Sequence, residues 1–190
     1  QYLASKGYSV VLAKDYSEAL AQLRNPGFNG AIIDCFFPEL TGSGKRDTGY
    51  EAVKKMLALD PRGRKNTPAA KAIAKVGSLL GTEAAKHITK KAHANYREHV
   101  DFYWALEQAI KEDESKQPLG ILVAEKAEEN GLPFVLATST YHHDELTQPV
   151  QDYAGRKGWK LIDCSQGKED EKATPDFWSW VLIDLENRLR

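Results

Sequence analysis

The amino-acid sequence predicts an α/β protein built on a parallel sheet with helices on both faces. Short, continuously apolar runs rich in β-branched residues alternate with amphipathic stretches of helical spacing, and Gly and Pro residues punctuate the chain between them. Continuous apolar runs are typical of parallel strands covered on both faces, and strand–helix alternation is typical of doubly wound sheets. The length of 190 residues fits one domain of ordinary size, or one domain that carries an insertion.

The first half of the chain predicts two strands with one helix between them. The run YSVVLA at 8–13 is rich in β-forming residues, and AIID at 31–34 is continuously apolar up to its final aspartate. Between them, Asp15 and Glu18 have the spacing of a capping box, which indicates the start of a helix. The segment Asn25-Pro26-Gly27 ends that helix.

The second half repeats the pattern. Apolar residues recur at helical spacing before Gly131, and a buried strand is expected from Pro133 to Ala137. Thr174 followed by Pro175 has the cap and first-turn residues of a final helix. The remaining elements expected are a helix in 144–158 interrupted near Pro149, and a strand at 159–164.

Residues 39–117 interrupt this alternation. They contain no strand signal, and helices are expected near 50–59, from 67 towards 80, and from 82 to 113. The sequence therefore predicts an α/β domain formed by 1–38 and 118–190, with 39–117 as a helical insertion.

The insertion concentrates positive charge. From Arg62 to Arg97 there are nine Lys or Arg and one acidic residue, whereas 98–116 has six acids and two lysines. Clustered basic residues favour a nucleic-acid interface, but no groove-reading motif accompanies them, and pairing with the acidic segment is the preferred alternative. The candidate nucleic-acid contacts are Arg62, Arg64, Lys65, Lys71, Lys75, Lys86, Lys90 and Lys91.

Two stretches together resemble a known family. They are YLASKGYSVVLAKDYSEALAQLRNPGFNGAIIDCFFP and PLGILVAEKAEENGLPFVLATS. Both resemble, in register, the receiver domain of bacterial two-component response regulators, over roughly 1–38 and 118–190. The resemblance implies a flavodoxin-like sheet, Asp34 as phosphoacceptor, and Thr138 as switch hydroxyl, or Ser139 if the register slips by one. It also implies Mg²⁺ held by Asp34 and the backbone carbonyl of Phe36.

The chain departs from the family pattern at three places, one of which is the separation of the glycine-led helix from Pro38 by about 80 residues. The likeness begins inside the family's first helix, so the first strand and its metal-binding acids are expected before residue 1. The family's lysine at the end of the last strand has no match in register, because LIDCS offers Asp163 and Cys164 there, and Lys168 comes late.

A carboxylate accepts a phosphoryl group when cations and hydroxyls hold the phosphate oxygens. We therefore expect a signalling domain, rather than a turnover enzyme, that is phosphorylated on Asp34 and acts on a kinase or effector protein through its insertion. The alternative is a degenerate, phosphorylation-independent adaptor in which Asp34 caps a loop.

A second group of polar residues is expected at the same edge of the sheet. Oxygen, nitrogen and sulphur donors of this kind also suit a small hydrolase or metal enzyme. The candidates are Asp34, Cys35, Tyr141, His142, His143, Asp144, Asp163 and Cys164. The segment TGSGK at 41–45 lacks the full phosphate-loop pattern, so a flexible loop is expected there.

The composition is that of a globular domain, with 42% hydrophobic residues, 28% charged residues and a net charge of −1. No apolar run reaches the length of about 18 residues that a membrane span needs. The two cysteines follow strand-like runs, which is typical of buried thiols in a cytoplasmic protein.

Overall fold

The computed structural model describes residues 2–60, 102–141, 144–165 and 168–189. Within these ranges the chain forms a parallel α/β sheet with helices on both faces. The strands are β1 (Ala31–Asp34), β2 (Phe134–Ala137) and β3 (Leu161–Ile162). The helices are α1 (Tyr2–Ser5), α2 (Tyr16–Leu23), α3 (Asp47–Leu59), α4 (102–112), α5 (Gly120–Glu129), α6 (Thr147–Lys157) and α7 (Pro175–Leu189). Two 3₁₀ segments, Glu114–Lys116 and Glu169–Ala173, complete the described elements.

The sheet has the order β1-β2-β3, and both neighbouring pairs are parallel. Asp34 pairs with Ala137, and Ala137 pairs with Ile162, so the three strands end at one level. The polar residues that follow the strands consequently gather at the carboxyl edge, where doubly wound sheets bind their ligands.

Side chains alternate along β2 and divide the core into two layers. Phe134 and Leu136 face a large cluster that includes residues of α3, α4, α5 and α6. Val135 and Ala137 face a smaller cluster formed with α7. The sheet is therefore covered on both faces, as the continuously apolar runs predicted. No helix in the described ranges has the length and apolarity that crossing a membrane requires.

The two predicted helix caps form, whereas the interruption predicted near Pro149 does not. Asp15 accepts the Glu18 N–H at 2.9 Å and caps α2, and the Thr174 hydroxyl accepts the Phe177 N–H at 3.4 Å at the start of α7. Pro149 does not interrupt α6, because it lies in the first turn, where its missing N–H has no helical partner to lose.

The strand predicted at 8–13 does not form in this structure. Val10, Val11 and Leu12 are 51%, 54% and 76% exposed and belong to no strand. A strand requires a hydrogen-bonding neighbour, and β1 is paired on its β2 side alone among the described residues. α1 contacts α7 on one face and α2 contacts α5 on the other, so 8–13 passes around the β1 edge.

The described parts of 39–117 contain a loop at 39–46 and then helices, with no strand among them. α3 confirms the helix predicted near 50–59, and α4 matches the end of the one predicted to reach 113. The helix expected from 67 towards 80 lies outside the described residues. Both α3 and α4 bury side chains in the large cluster, including Met56 and Leu106. The division of the chain into two domains stays a prediction.

Candidate functional site

Asp34 lies at the carboxyl end of β1, where the predicted site was placed. Its side chain is 44% exposed, and Oδ2 forms an ion pair with Lys172 Nζ at 2.6 Å. Oδ1 accepts the N–H of Cys35 at 2.8 Å. The carboxylate is therefore open to solvent, oriented by the backbone and neutralised by one ammonium group.

Lys172 places an ammonium group beside Asp34, although the sequence offers no lysine in register with the end of the last strand. It lies in the 3₁₀ segment Glu169–Ala173, directly before α7, and its side chain is 19% exposed. Its carbonyl accepts the indole N–H of Trp178 at 2.7 Å, which fixes the backbone from the first turns of α7. The resemblance implies a lysine in register with the end of the last strand, whereas Lys172 lies two residues before Thr174, next to the start of the last helix.

Gly120 brings the two separated halves of the α/β domain together at Asp34. Its N–H donates to the Cys35 carbonyl at 3.1 Å, and any Cβ at this position would collide with the Asp34 backbone. The Phe37 N–H donates to the Gln117 carbonyl at 3.2 Å. The backbone on both sides of Phe36 is thus fixed by Gln117, at the end of the insertion, and by Gly120, just after it.

The hydroxyl of Thr138, the predicted switch residue, is buried and hydrogen-bonded. Thr138 follows β2, is 1% exposed, and donates its N–H to the Ile162 carbonyl at 2.9 Å. Its hydroxyl lies 2.8 Å from the Thr140 hydroxyl and partly offsets the rise that burial causes in the pKa of Cys35. Thr138 directly follows Ala137, which pairs with Asp34, while its hydroxyl hydrogen-bonds Thr140. Ser139, the alternative, is half-buried.

The two cysteines are buried free thiols, as the sequence predicted. Burial raises the pKa of the Cys35 thiol far above its usual range, and the neighbouring Asp34 carboxylate raises this pKa further. Burial likewise raises the pKa of Cys164, whose sulphur lies 3.7 Å from the Thr138 carbonyl. Both residues therefore stay protonated near neutral pH and pack as small apolar side chains.

The donors in the described residues do not by themselves complete a Mg²⁺ site. Asp34 and the Phe36 carbonyl are two oxygen donors, and Lys172 already neutralises one carboxylate oxygen. No group of three His, Cys, Asp or Glu side chains in the described ranges has the geometry to hold a metal ion. His142 and His143 lie outside those ranges, and Asp163 is half-buried after β3. We derive no step through the metal.

The TGSGK segment is a loop, and its conformation is fixed by an acid from the far end of the insertion. The N–H groups of Gly42 and Gly44 donate to the two Glu114 carboxylate oxygens at 2.8 Å and 2.6 Å. Both glycines have positive φ, which the turn requires. The loop that was expected to be flexible is thus held by a carboxylate. The candidate nucleic-acid contacts between Arg62 and Lys91 lie outside the described residues.

Comparisons of the chain with protein-family models, with curated proteins and with solved structures found no match. The function is therefore argued from the geometry around Asp34.

Proposed function

We propose that the chain is a receiver-like signalling domain in which Asp34 accepts a phosphoryl group. The observation that carries the proposal is the Asp34–Lys172 ion pair at the carboxyl edge of a parallel sheet. An exposed strand-end carboxylate with an ammonium group beside it combines a nucleophile with a cation for phosphate oxygens.

The chemistry requires one displacement at phosphorus. A carboxylate oxygen of Asp34 forms a P–O bond to a donor such as acetyl phosphate, and the donor's own P–O bond breaks as acetate leaves with the electron pair. Because the acyl phosphate is dianionic, Lys172 is expected to move from the carboxylate to a phosphoryl oxygen. The Thr138 hydroxyl is one residue beyond the strand pair and would donate a second hydrogen bond after leaving Thr140. Mg²⁺ would supply further charge neutralisation and is part of the proposal.

Output through protein contacts is the proposed consequence. Phosphorylation replaces one negative charge paired with one lysine by a larger anion, and this changes which groups Lys172 and Thr138 hold. An effector or kinase that binds the two arrangements with different affinity would read the change.

The test is intact mass after incubation with acetyl phosphate, with and without Mg²⁺. We expect one phosphoryl adduct on the wild-type chain and none on Asp34→Asn. Lys172→Met should lower the adduct yield at least tenfold, because the phosphoryl charge loses its cation. Lys168→Met is the matched control, since Lys168 pairs with Glu171 at 3.6 Å and is 63% exposed. An adduct that persists in Asp34→Asn would overturn the assignment of the acceptor.

A phosphorylation-independent adaptor is the second candidate, and the same ion pair favours it. Lys172 and the Cys35 N–H each bond one oxygen of the Asp34 carboxylate, an arrangement that suits a structural role. Absence of any adduct under all conditions, together with a loss of stability in Asp34→Asn, would select this candidate.

A further inference from the structure

We infer that α6 couples the Asp34 site to a buried ion pair at the base of the helical insertion. This inference rests on the proposed function and names the route by which the site reaches the insertion. Its parts are a chain of threonine hydroxyls at one end of α6 and the side chains of Asp60, Tyr103 and Arg156 at the other.

The first end of α6 is tied to the sheet edge by hydroxyl groups. Thr147, the first residue of α6, is fully buried and donates its hydroxyl proton to Thr140. Thr140 therefore has its own proton free for Thr138, whose oxygen also accepts the Thr140 N–H at 3.3 Å. Thr138 directly follows Ala137, which pairs with Asp34 in the sheet, so this chain of hydroxyls ends beside the Asp34 site. A change in the partner of Thr138 thus alters every hydrogen bond up to α6.

The second end of α6 is tied to the insertion by charge. Arg156 Nη2 lies 3.2 Å from Asp60 Oδ2, and the Tyr103 hydroxyl donates to the same oxygen at 3.3 Å. Asp60 is fully buried, and burial together with the Asp60 charge raises the pKa of Tyr103 to about 12. Asp60 directly follows α3 and Tyr103 lies in α4, so one carboxylate joins both described arms of the insertion to α6.

The helix between these ends is suited to move as one body. Its inner face buries Pro149, Val150, Tyr153 and Ala154 without a break. Thr147 and Arg156 are separated by roughly 14 Å at the helical rise per residue. A buried carboxylate that loses its cation is strongly destabilised, so the Arg156–Asp60 pair resists separation. If α6 is displaced at Thr147, it either moves α3 and α4 with it or breaks the Arg156–Asp60 pair. These outcomes are two discrete arrangements.

If α6 couples its two ends, a substitution at the Thr147 end changes the free energy of the interactions at the Arg156 end. Thr147→Val removes one hydroxyl at the near end, and Tyr103→Phe removes one at the far end while leaving the ion pair intact. Thr41→Val is the matched control, because its hydroxyl bonds Asp15 at the start of α2 and touches neither end of α6.

The experiment combines amide exchange with the intact-mass assay. After acetyl phosphate treatment, peptides spanning 102–112 should change exchange rate at least threefold in the wild type and in Thr41→Val. In Thr147→Val the adduct should form without this change. Equal changes in all three chains, or none in any chain that carries the adduct, would overturn the coupling and leave the phosphorylation proposal standing.

If no chain forms the adduct, the phosphorylation proposal fails and a double-mutant cycle decides the coupling. Unfolding free energies are measured for Thr147→Val, Tyr103→Phe and the double variant, beside the same cycle built on Thr41→Val. Distant, independent sites add. Non-additivity in the Thr147 cycle alone supports the coupling through α6, and additivity in both cycles overturns it.

Discussion

Gly120 lies so close to Asp34 that a Cβ on this residue would stand 2.1 Å from the Asp34 carbonyl oxygen. The contact is made by backbone atoms, which cannot swing away as a flexible side chain does. The start of α5 and the end of β1 are therefore held together by the absence of a side chain.

Gly120→Ala should destabilise the protein by about 3 kcal/mol, since the added methyl forces apart two backbone segments in a packed core. Denaturant unfolding followed by circular dichroism measures the loss. Gly155→Ala is the control, because Gly155 lies inside α6 with open space where its Cβ would be. That substitution should stabilise the protein by about 0.5–1 kcal/mol, and equal effects at both positions would contradict the packing argument.

Arg156→Met should lower the unfolding free energy by about 3–5 kcal/mol, since it removes the ion pair with Arg156 from a carboxylate that is fully buried. Arg188 forms a pair of similar length with Asp184 at 3.1 Å within α7, but the Asp184 side chain is 28% exposed. Arg188→Met should therefore change stability by less than about 1 kcal/mol. Chemical denaturation of the two variants beside the wild type provides the comparison, and similar losses would show that burial of Asp60 is not the deciding factor.

Asp15 should contribute to a loss of stability in acid. The pKa of its carboxyl group is lowered by the Glu18 N–H, and the Thr41 N–H and hydroxyl lower it further. Its folded-state pKa is therefore below the unfolded value of about 3.9. The stabilisation is present above the unfolded value and disappears as the pH falls through the folded one.

Asp15→Asn should thus reduce the fall in unfolding free energy between pH 6 and pH 3, measured by urea titration at each pH. Asp170→Asn, at an exposed position, should leave that slope as in the wild type. A wild-type slope in Asp15→Asn would show that other carboxylates dominate the acid response.

Val11→Lys should reduce self-association without altering the fold. Residues 10–12 present exposed β-branched and apolar side chains beside the β1 edge, and such segments pair readily with other chains. We expect unfolding free energy to change by less than about 0.5 kcal/mol, while light scattering at high concentration falls. Unchanged scattering would remove this segment as the origin of association.

The elements that could be predicted from sequence are those whose signals are local. The Asp15 and Thr174 caps form as expected, and the apolar runs at 31–34 and 134–137 became neighbouring parallel strands. The prediction of a strand at 8–13 was wrong, because strand formation depends on a hydrogen-bonding partner that no local pattern specifies.

The candidate site likewise contains one feature that the sequence predicted and others that it did not. Asp34 was placed correctly at a strand end, since an aspartate that ends a buried run has no other position to take. Lys172 was missed because its approach depends on the 3₁₀ segment and on Trp178, a contact between residues that follow the last strand. The partners of Thr138 were also beyond prediction, because hydroxyls from the loop after β2 and from the start of α6 meet only after folding.

The hydrogen bonds from the Gly42 and Gly44 amides to Glu114 affect how the chain tolerates a change in its length. These bonds join the two ends of the insertion. The 3₁₀ segment that precedes α5 is held against the loop that follows β1. The entropy of closing a loop grows only slowly with the number of residues it contains. Residues added between α3 and α4, where they leave this closure and the buried faces of both helices in place, should therefore cost little in loop-closure entropy.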